Sequence, residues 1–275
     1  MNKTSQAFDR VATTYDQWSN LQKTVGEELL ERIQWLKISP KNILDIGAGT
    51  GILTKGLNQQ YENANIYAID IAWKMLQQAS QQLPSQHFIC TDAARLPIAD
   101  ASIDLLVSNL MLQWCDDVQM VFTEFARVLK PNGAIFFSTF GPDTLRELRH
   151  SWTDDVAHVN NFLDMHNIGD ALLQANLADP VMDVDWFELN YKKVKHLLLD
   201  LKNIGSHNNT GQNRLGLLGK NKFQAMLAEY EKYRNSDSLL PATYEVIYGH
   251  ALGKQLPSVD TIPIKQVNLR RKPIE

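Results

Sequence analysis

Nine residues, Ile43 to Gly51, constrain this chain more than any others: I-L-D-I-G-A-G-T-G. Four residues of strand character run into glycines at alternate positions, Gly47, Gly49 and Gly51. Apolar residues then recur at helical spacing at Ile52, Leu53, Leu57 and Tyr61. Strand, glycine turn and helix open a βαβ nucleotide-binding unit. Glycine serves twice in such a turn: it accepts positive φ, and its missing Cβ lets backbone N–H groups approach a ligand. The G-x-G-x-G spacing differs from the G-x-G-x-x-G of dinucleotide enzymes, which weighs against a pyrophosphate and against NAD. A second buried strand over residues 65–70 ends in Asp70, 19 residues beyond Gly51. An acid at about 20 residues beyond the glycines hydrogen-bonds ribose hydroxyls in units of this kind. The plainer alternative is a tight strand-helix turn and a solvated strand-end carboxylate.

Composition limits the function classes. The 275 residues are 44% hydrophobic and 21% charged, enough for one or two domains with a full core. A formal net charge of -4 gives no general attraction to nucleic acid or to a membrane surface. No apolar run reaches the roughly 18 residues of a membrane span. The first 15 residues lack an apolar signal core, and Cys90 and Cys115 fall in strand and loop contexts. Both features point to a cytoplasmic protein with reduced thiols. No Cys/His spacing suits zinc, so no metal is expected.

Strand patterns at residues 43–46, 65–70, 87–90, 102–109 and 134–140 alternate with helical patterns, which predicts a mostly parallel sheet with helices on both faces. Lys130-Pro131-Asn132-Gly133 reads as a turn, because proline ends the preceding helix and Asn-Gly accepts positive φ. The rhythm changes after Gly141. Residues 141–162 read as a polar helix with Asp143 or Thr144 as N-cap. Helices over 165–176, 192–204 and 222–233, a strand over 180–189, a Gly/Asn-rich loop over 205–219 and a last strand over 244–252 follow. The expected organisation is lid helices in 1–40, a nucleotide-binding core in 41–140, cap insertions in 141–164 and 192–238, further core in 165–191 and 239–254, and a mobile tail from 255.

The glycine turn and Asp70 together resemble the class I S-adenosylmethionine (SAM) methyltransferases. The resemblance implies SAM as cofactor and an α/β, Rossmann-like, doubly wound sheet of seven mostly parallel strands, the last antiparallel, with a helical cap from insertions. It implies a cofactor site from Asp45, Gly47, Ala48, Gly49 and Gly51 at the turn and Asp70 and Ile71 at the second strand end. Asp92 is implied at the adenine amino group, with the Ala93 N–H at a ring nitrogen and Asn109 beside the sulfonium. From the residues alone, Asp92 serves equally as a helix cap. Phe8, Ala12, Tyr15 and Asp16 match the F-x-x-x-A-x-x-Y-D lid of many such enzymes, which implies Tyr15 near the transferred methyl. Gln113 and Trp114 are candidate pocket residues by the same resemblance, or Trp114 packs the next helix.

The carboxyl-terminal half is more particular. F-S-T-F-G-P-D-T-L-R-E-L-R from Phe137, D-M-H-N-I-G-D-A-L from Asp164, L-K-N-I-G from Leu201 and P-A-T-Y-E-V-I-Y-G-H-A from Pro241 occur in that order. These segments resemble the malonyl-[acyl-carrier protein] O-methyltransferases of biotin synthesis, over about residues 5–252. Ser206-His207-Asn208 departs from the pattern, where a small residue is expected after the glycine. The resemblance implies methyl transfer to the free carboxylate of a malonyl thioester. A carboxylate is ionised at neutral pH, its reference pKa being about 4, so it needs no general base. The chain accordingly offers no Ser/His/Asp or Cys/His constellation. Arg146 is the expected grip on that carboxylate, with a surface ion pair to Glu147 or Asp143 as its other reading. The implied partner, malonyl-acyl carrier protein, is an acidic protein. Residues 190–234 carry nine Lys/Arg against three acids, a basic cap suited to docking it. Two other enzyme classes share parts of the pattern: methyltransferases of small lipids or quinones, and a SAM-fold arginine hydroxylase with a D-T-L-x-E-L-R stretch. The Ile247-Tyr248-Gly249-His250-Ala251 ending favours the biotin branch.

Overall fold

The computed structural model describes residues 3–154, 156–206 and 220–254. One sheet organises them. Its strands are β1 (Asn42–Ile46), β2 (Asn65–Asp70), β3 (His87–Cys90), β4 (Ile103–Asn109), β5 (Leu129–Phe140), β6 (Ala178–Tyr191) and β7 (Leu240–Leu252). They lie in the order β3-β2-β1-β4-β5-β7-β6. Strands β1 to β5 pair in parallel, and β7 runs antiparallel to both β5 and β6. The expected seven-stranded architecture is therefore present. The chain turns back across the sheet between β1 and β4, and ligands of open α/β sheets bind outside such a reversal.

Both sheet faces are covered, so the central strands read as apolar runs rather than alternating ones. On one face, Ile43, Ile66, Leu105 and Phe136 pack on α2 (Asn20–Trp35) and α3 (Ile52–Gln60). Val25, Leu29 and Ile33 of α2 are wholly buried there, each contributing about 1.5–3 kcal/mol by burial. On the other, Leu44, Ile69, Leu106 and Phe137 pack on α5 (Val118–Val128) and α7 (Met165–Gln174). A short α4 (Trp73–Gln82) covers Ala48 and Ala68 through Leu76. Among the described residues, no helix is long and apolar enough to cross a membrane.

Three elements differ from the sequence expectation. The turn at 130–133 sits inside β5 as an irregularity: Ile103 pairs with Leu129 but Leu105 with Ala134, and Asn132 takes φ +61. The helix expected over 141–162 shrinks to α6 (Arg146–Ser151). Neither Asp143 nor Thr144 caps it, because both are engaged by β7. The Thr144 hydroxyl donates to Glu245 O and accepts from Glu245 N, while Asp143 N donates to the Glu245 carboxylate. Leu145 holds the cap position instead, in the left-handed region at φ +55. The last strand starts at Leu240 and pairs with β6 along nearly its whole length.

The cap is fastened to the same sheet face as α2. Leu148 of α6, Val194 and Leu197 of α8 (Val194–Asn203), and Met226 and Tyr230 of α9 (Lys220–Tyr230) join that apolar cluster. Buried Glu147 accepts from Thr243 N and from the Thr243 hydroxyl, tying α6 to β7. The expected tail beyond 254, Arg214 and residues 207–219 of the Gly/Asn-rich loop lie outside the described residues.

Candidate active site

The glycine turn forms because β1 must end against its neighbour. The N–H groups of Gly47 and Ala48 both donate to Ile69 O of β2, at 2.8 and 2.9 Å. Holding both bonds puts Gly47, Gly49 and Gly51 at φ +76, +56 and +87. A Cβ on Gly47 would stand 2.5 Å from the Met111 side chain. A Cβ on Gly49 would meet nothing within 4 Å, because Gly49 faces a cavity. That cavity has a volume of ≈ 450 Å³ and opens at the carboxyl ends of β1, β2 and β4, where the strand order reverses.

Eight of the twelve candidate residues line it: Tyr15, Gly47, Gly49, Asp70, Ile71, Asp92, Ala93 and Asn109. Asp70 accepts Gly49 N at 2.9 Å on one oxygen and Ala72 N at 2.7 Å on the other. Burial pushes its carboxyl up to about 6 against those bonds. Each oxygen keeps a lone pair for a ligand hydroxyl. Asp92 accepts Ala94 N at 2.9 Å, so it does stabilise a local turn, yet it also borders the cavity. Asn109 is locked by two bonds, donating to Gln22 O at 2.9 Å and accepting from the Ser138 hydroxyl at 2.7 Å. Leu110 follows at φ +48 with its N–H donating to Ser138 O and Oγ, a strained backbone at the cavity wall.

The other four stand back from the cavity. Asp45 is buried under the floor, where its carboxylate accepts the Thr54 hydroxyl at 2.6 Å and burial pushes it up to about 7. Ala48 and Gly51 shape the turn: Gly51 N donates to Ala48 O and Gly51 caps α3. Arg146 is not brought to the cavity. Its guanidinium lies 5.7 Å from the Trp186 ring centre, and its Nε is 3.5 Å from Glu147, the surface pairing being the one realised. The reason is α6 itself: the left-handed Leu145 starts a six-residue helix that buries Leu148 and leaves Arg146 outside.

The lid closes the cavity from above. Phe8 of α1 (Lys3–Val11) meets the Trp114 ring edge-on at 5.3 Å, and Ala12 packs on Ala72 and Met75. Two polar hooks fasten it: Asp16 accepts the Thr50 hydroxyl at 2.6 Å, and Asp9 accepts Lys74 N at 2.8 Å. The Tyr15 phenol borders the cavity, and burial with the nearby Asp70 and Asp16 charges raises its pKa well above the ordinary range. It therefore stays a protonated donor.

Sequence reasoning missed several wall residues: Gln22, Met75, Arg95, Met111, Ile204 and Ser206. Gln22 Oε1 is buried with no hydrogen-bond partner among the described residues. No spacing marks it, since it is one polar position on an amphipathic helix. Ser206 carried a signal, as the departure after Gly205. Asp70, Asp92, Asp116 and Asp117 face one cationic wall residue, Arg95, so the walls favour a cationic ligand. The glycine cradle that a Cβ would fill, the Asp70 carboxylate at the end of β2 and these acidic walls fit SAM.

The comparisons agree. Residues 44–137 match the model of a methyltransferase domain. The Bacillus subtilis YcgJ protein structure shares the fold at TM-score 0.60 and 16% identity, covering 84% of this chain and 100% of that one. Haemonchus contortus phosphoethanolamine N-methyltransferase 2, solved with S-adenosyl-L-methionine, does so at TM-score 0.53 and 14% identity, over 83% of this chain and 53% of that one. The fold, the cavity and these matches define a SAM-dependent methyltransferase of the Rossmann-like type. A malonyl-[acyl-carrier protein] O-methyltransferase of Methylovorus sp. is 46% identical over 90% of this chain and 86% of its own length. One from Coxiella burnetii is 39% identical over 97% and 95%. The chain belongs to the malonyl-[acyl-carrier protein] O-methyltransferase family.

Proposed function

We propose that this protein esterifies the free carboxylate of a malonyl thioester on an acyl carrier protein, with SAM as donor, at the start of biotin synthesis. The observation that carries this reading is 46% identity to the Methylovorus relative across 90% of the chain, cap included. Bound SAM supplies an electrophilic methyl group. The protein's residues position it: Asp70 takes the ribose hydroxyls, Ile71, Asp92 and the Ala93 N–H meet the adenine, and Gly47, Gly49 and Asn109 flank the aminoacyl arm. Asp45, Ala48 and Gly51 act from beneath by fixing the turn.

The acceptor arrives ionised and needs no base. The remaining work is orientation and exclusion of water, and alignment alone supplies up to about 7–11 kcal/mol in ideal cases. The protonated Tyr15 phenol donates to one carboxylate oxygen and leaves the other to attack. A neutral donor suits this task, because a guanidinium clamp would lower the anion's nucleophilicity. Arg146 lies outside the cavity and is not assigned that grip. The basic cap of residues 190–234 receives the acidic carrier, and reduced Cys90 and Cys115 suit a cytoplasmic setting.

Purified protein is offered labelled SAM with malonyl-carrier, malonyl-CoA or acetyl-carrier. Methyl ester from the malonyl substrates alone is expected. Labelling of acetyl-carrier, or of none of the three, would overturn the assignment.

A further inference from the structure

The structure narrows the basic cap to one helix. Of the nine cations in residues 190–234, three are already neutralised: Lys222 by Asp154, Lys232 by Glu229 and Arg234 by Glu231, at 3.2, 2.5 and 2.5 Å. Arg214 and the Lys220 side chain lie outside the description. The remaining four, Lys192, Lys193, Lys195 and Lys202, are exposed on and just before α8, and none forms an ion pair among the described residues.

Helical geometry gathers them. Lys195, Leu199 and Lys202 stand at positions i, i+4 and i+7 and share a face. Leu199 is 46% exposed in the middle of it, while Val194 and Leu197 on the opposite side are buried. The one acid of α8 does not neutralise this face, because Asp200 is turned toward Tyr191 and Tyr244. Two cations flanking an exposed apolar residue are complementary to a helix of acids with an apolar centre.

The helix also leads to the chemistry. Ile204 and Ser206, directly after α8, line the cavity. Between them Gly205 takes φ +73 against the lid, where a Cβ would stand 3.2 Å from Phe8 and 3.3 Å from Val11. Lys195 is thus one helix length, about 15 Å, from the seam between lid and cavity wall. A flexible thioester arm spans such a distance.

We propose that the outer face of α8, built from Lys195, Leu199 and Lys202 with Lys192 just before the helix, is where the acidic carrier docks, delivering its arm along α8 to the seam at Ser206. This rests on the carrier-bound substrate proposed above. The test compares the wild type with Lys192→Glu/Lys195→Glu/Lys202→Glu, with Leu199→Ser, and with Lys232→Glu, a cap cation outside α8 that is already paired with Glu229. The expected result is a Kd for malonyl-carrier, read by fluorescence anisotropy, at least about tenfold weaker in the α8 variants and unchanged in Lys232→Glu. kcat/KM for malonyl-CoA and the Kd for SAM are expected to stay at wild-type values in all. Carrier affinity unaltered by the α8 variants overturns the proposal. So does a parallel loss with malonyl-CoA, which would make α8 a cavity wall only. Binding is read without turnover, so a wild type that methylates neither substrate would sink the reaction while anisotropy still decides the surface.

Discussion

At the scale of single residues, Asp70 decides how the site responds to pH. Burial raises its folded pKa to about 6 from an ordinary 3.8. The native state thus holds this proton more tightly than the unfolded chain. The group's ionisation opposes folding above about pH 6, and that opposition is relieved as pH falls toward 3.8. On the contact proposed for Asp70, ligand affinity runs the other way, because a charge-assisted bond to a ribose hydroxyl would need the carboxylate. Calorimetry should therefore find SAM bound about tenfold more weakly at pH 5 than at pH 7.5, a loss on the order of 1.4 kcal/mol. Asp70→Asn should bind weakly at both pH values; a variant retaining the wild-type slope would assign the titration elsewhere. Arg146 supplies the opposite case. With its guanidinium over Trp186 and outside the cavity, Arg146→Ala should leave kcat/KM for malonyl-CoA within about twofold and SAM affinity unchanged. A loss beyond about tenfold in steady-state kinetics would mean that α6 carries Arg146 into the site during turnover.

At the scale of elements, the lid is a nine-residue helix laid over the cavity, followed by the turn that carries Tyr15 and Asp16. Asp16–Thr50 joins the turn after α1 to the glycine turn, Asp9–Lys74 joins α1 to α4, and aromatic contact with Trp114 completes the closure. A cofactor enclosed beneath such a lid requires that it open and reclose during turnover. Asp16→Ala removes one charge-assisted bond of about 1–2 kcal/mol at a half-buried position. Stopped-flow fluorescence should show SAM leaving about fivefold to tenfold faster, with the melting temperature of the unliganded protein shifted by no more than a few degrees. Unchanged dissociation would place the rate-limiting gate at the α8–lid seam instead. The elements were legible to different degrees. Strands β1, β2 and β4 follow from largely apolar runs that burial on two faces allows. The helix expected over 141–162 failed because Thr144 and Asp143, ordinary caps by type, are committed to Glu245 a hundred residues away.

At the scale of the whole molecule, charge is divided. The chain carries -4 overall while residues 190–234 carry an excess of six positive charges, leaving the remainder at about -10. Such asymmetry steers an acidic partner and is screened over a Debye length of about 8 Å at physiological salt. Raising the salt from 50 to 500 mM, on the order of one decade, should cut kcat/KM for malonyl-carrier by about tenfold or more and that for malonyl-CoA far less. Equal sensitivity of the two substrates would remove steering from the account. Sequence alone determined the sheet, the glycine turn and the place of Asp70 at the end of β2, because each is a local demand: positive φ, two-faced burial, a fixed distance from strand to strand. Tertiary structure decided what sequence spacing does not encode. Packing across the sheet brought Gln22, Met111 and Ser206 to one cavity, and a single left-handed residue at Leu145 turned Arg146 away from it. It also paired some cap cations and left those of α8 without an ion pair among the described residues, since side chains meet in space by the packing of whole elements and not by their order along the chain.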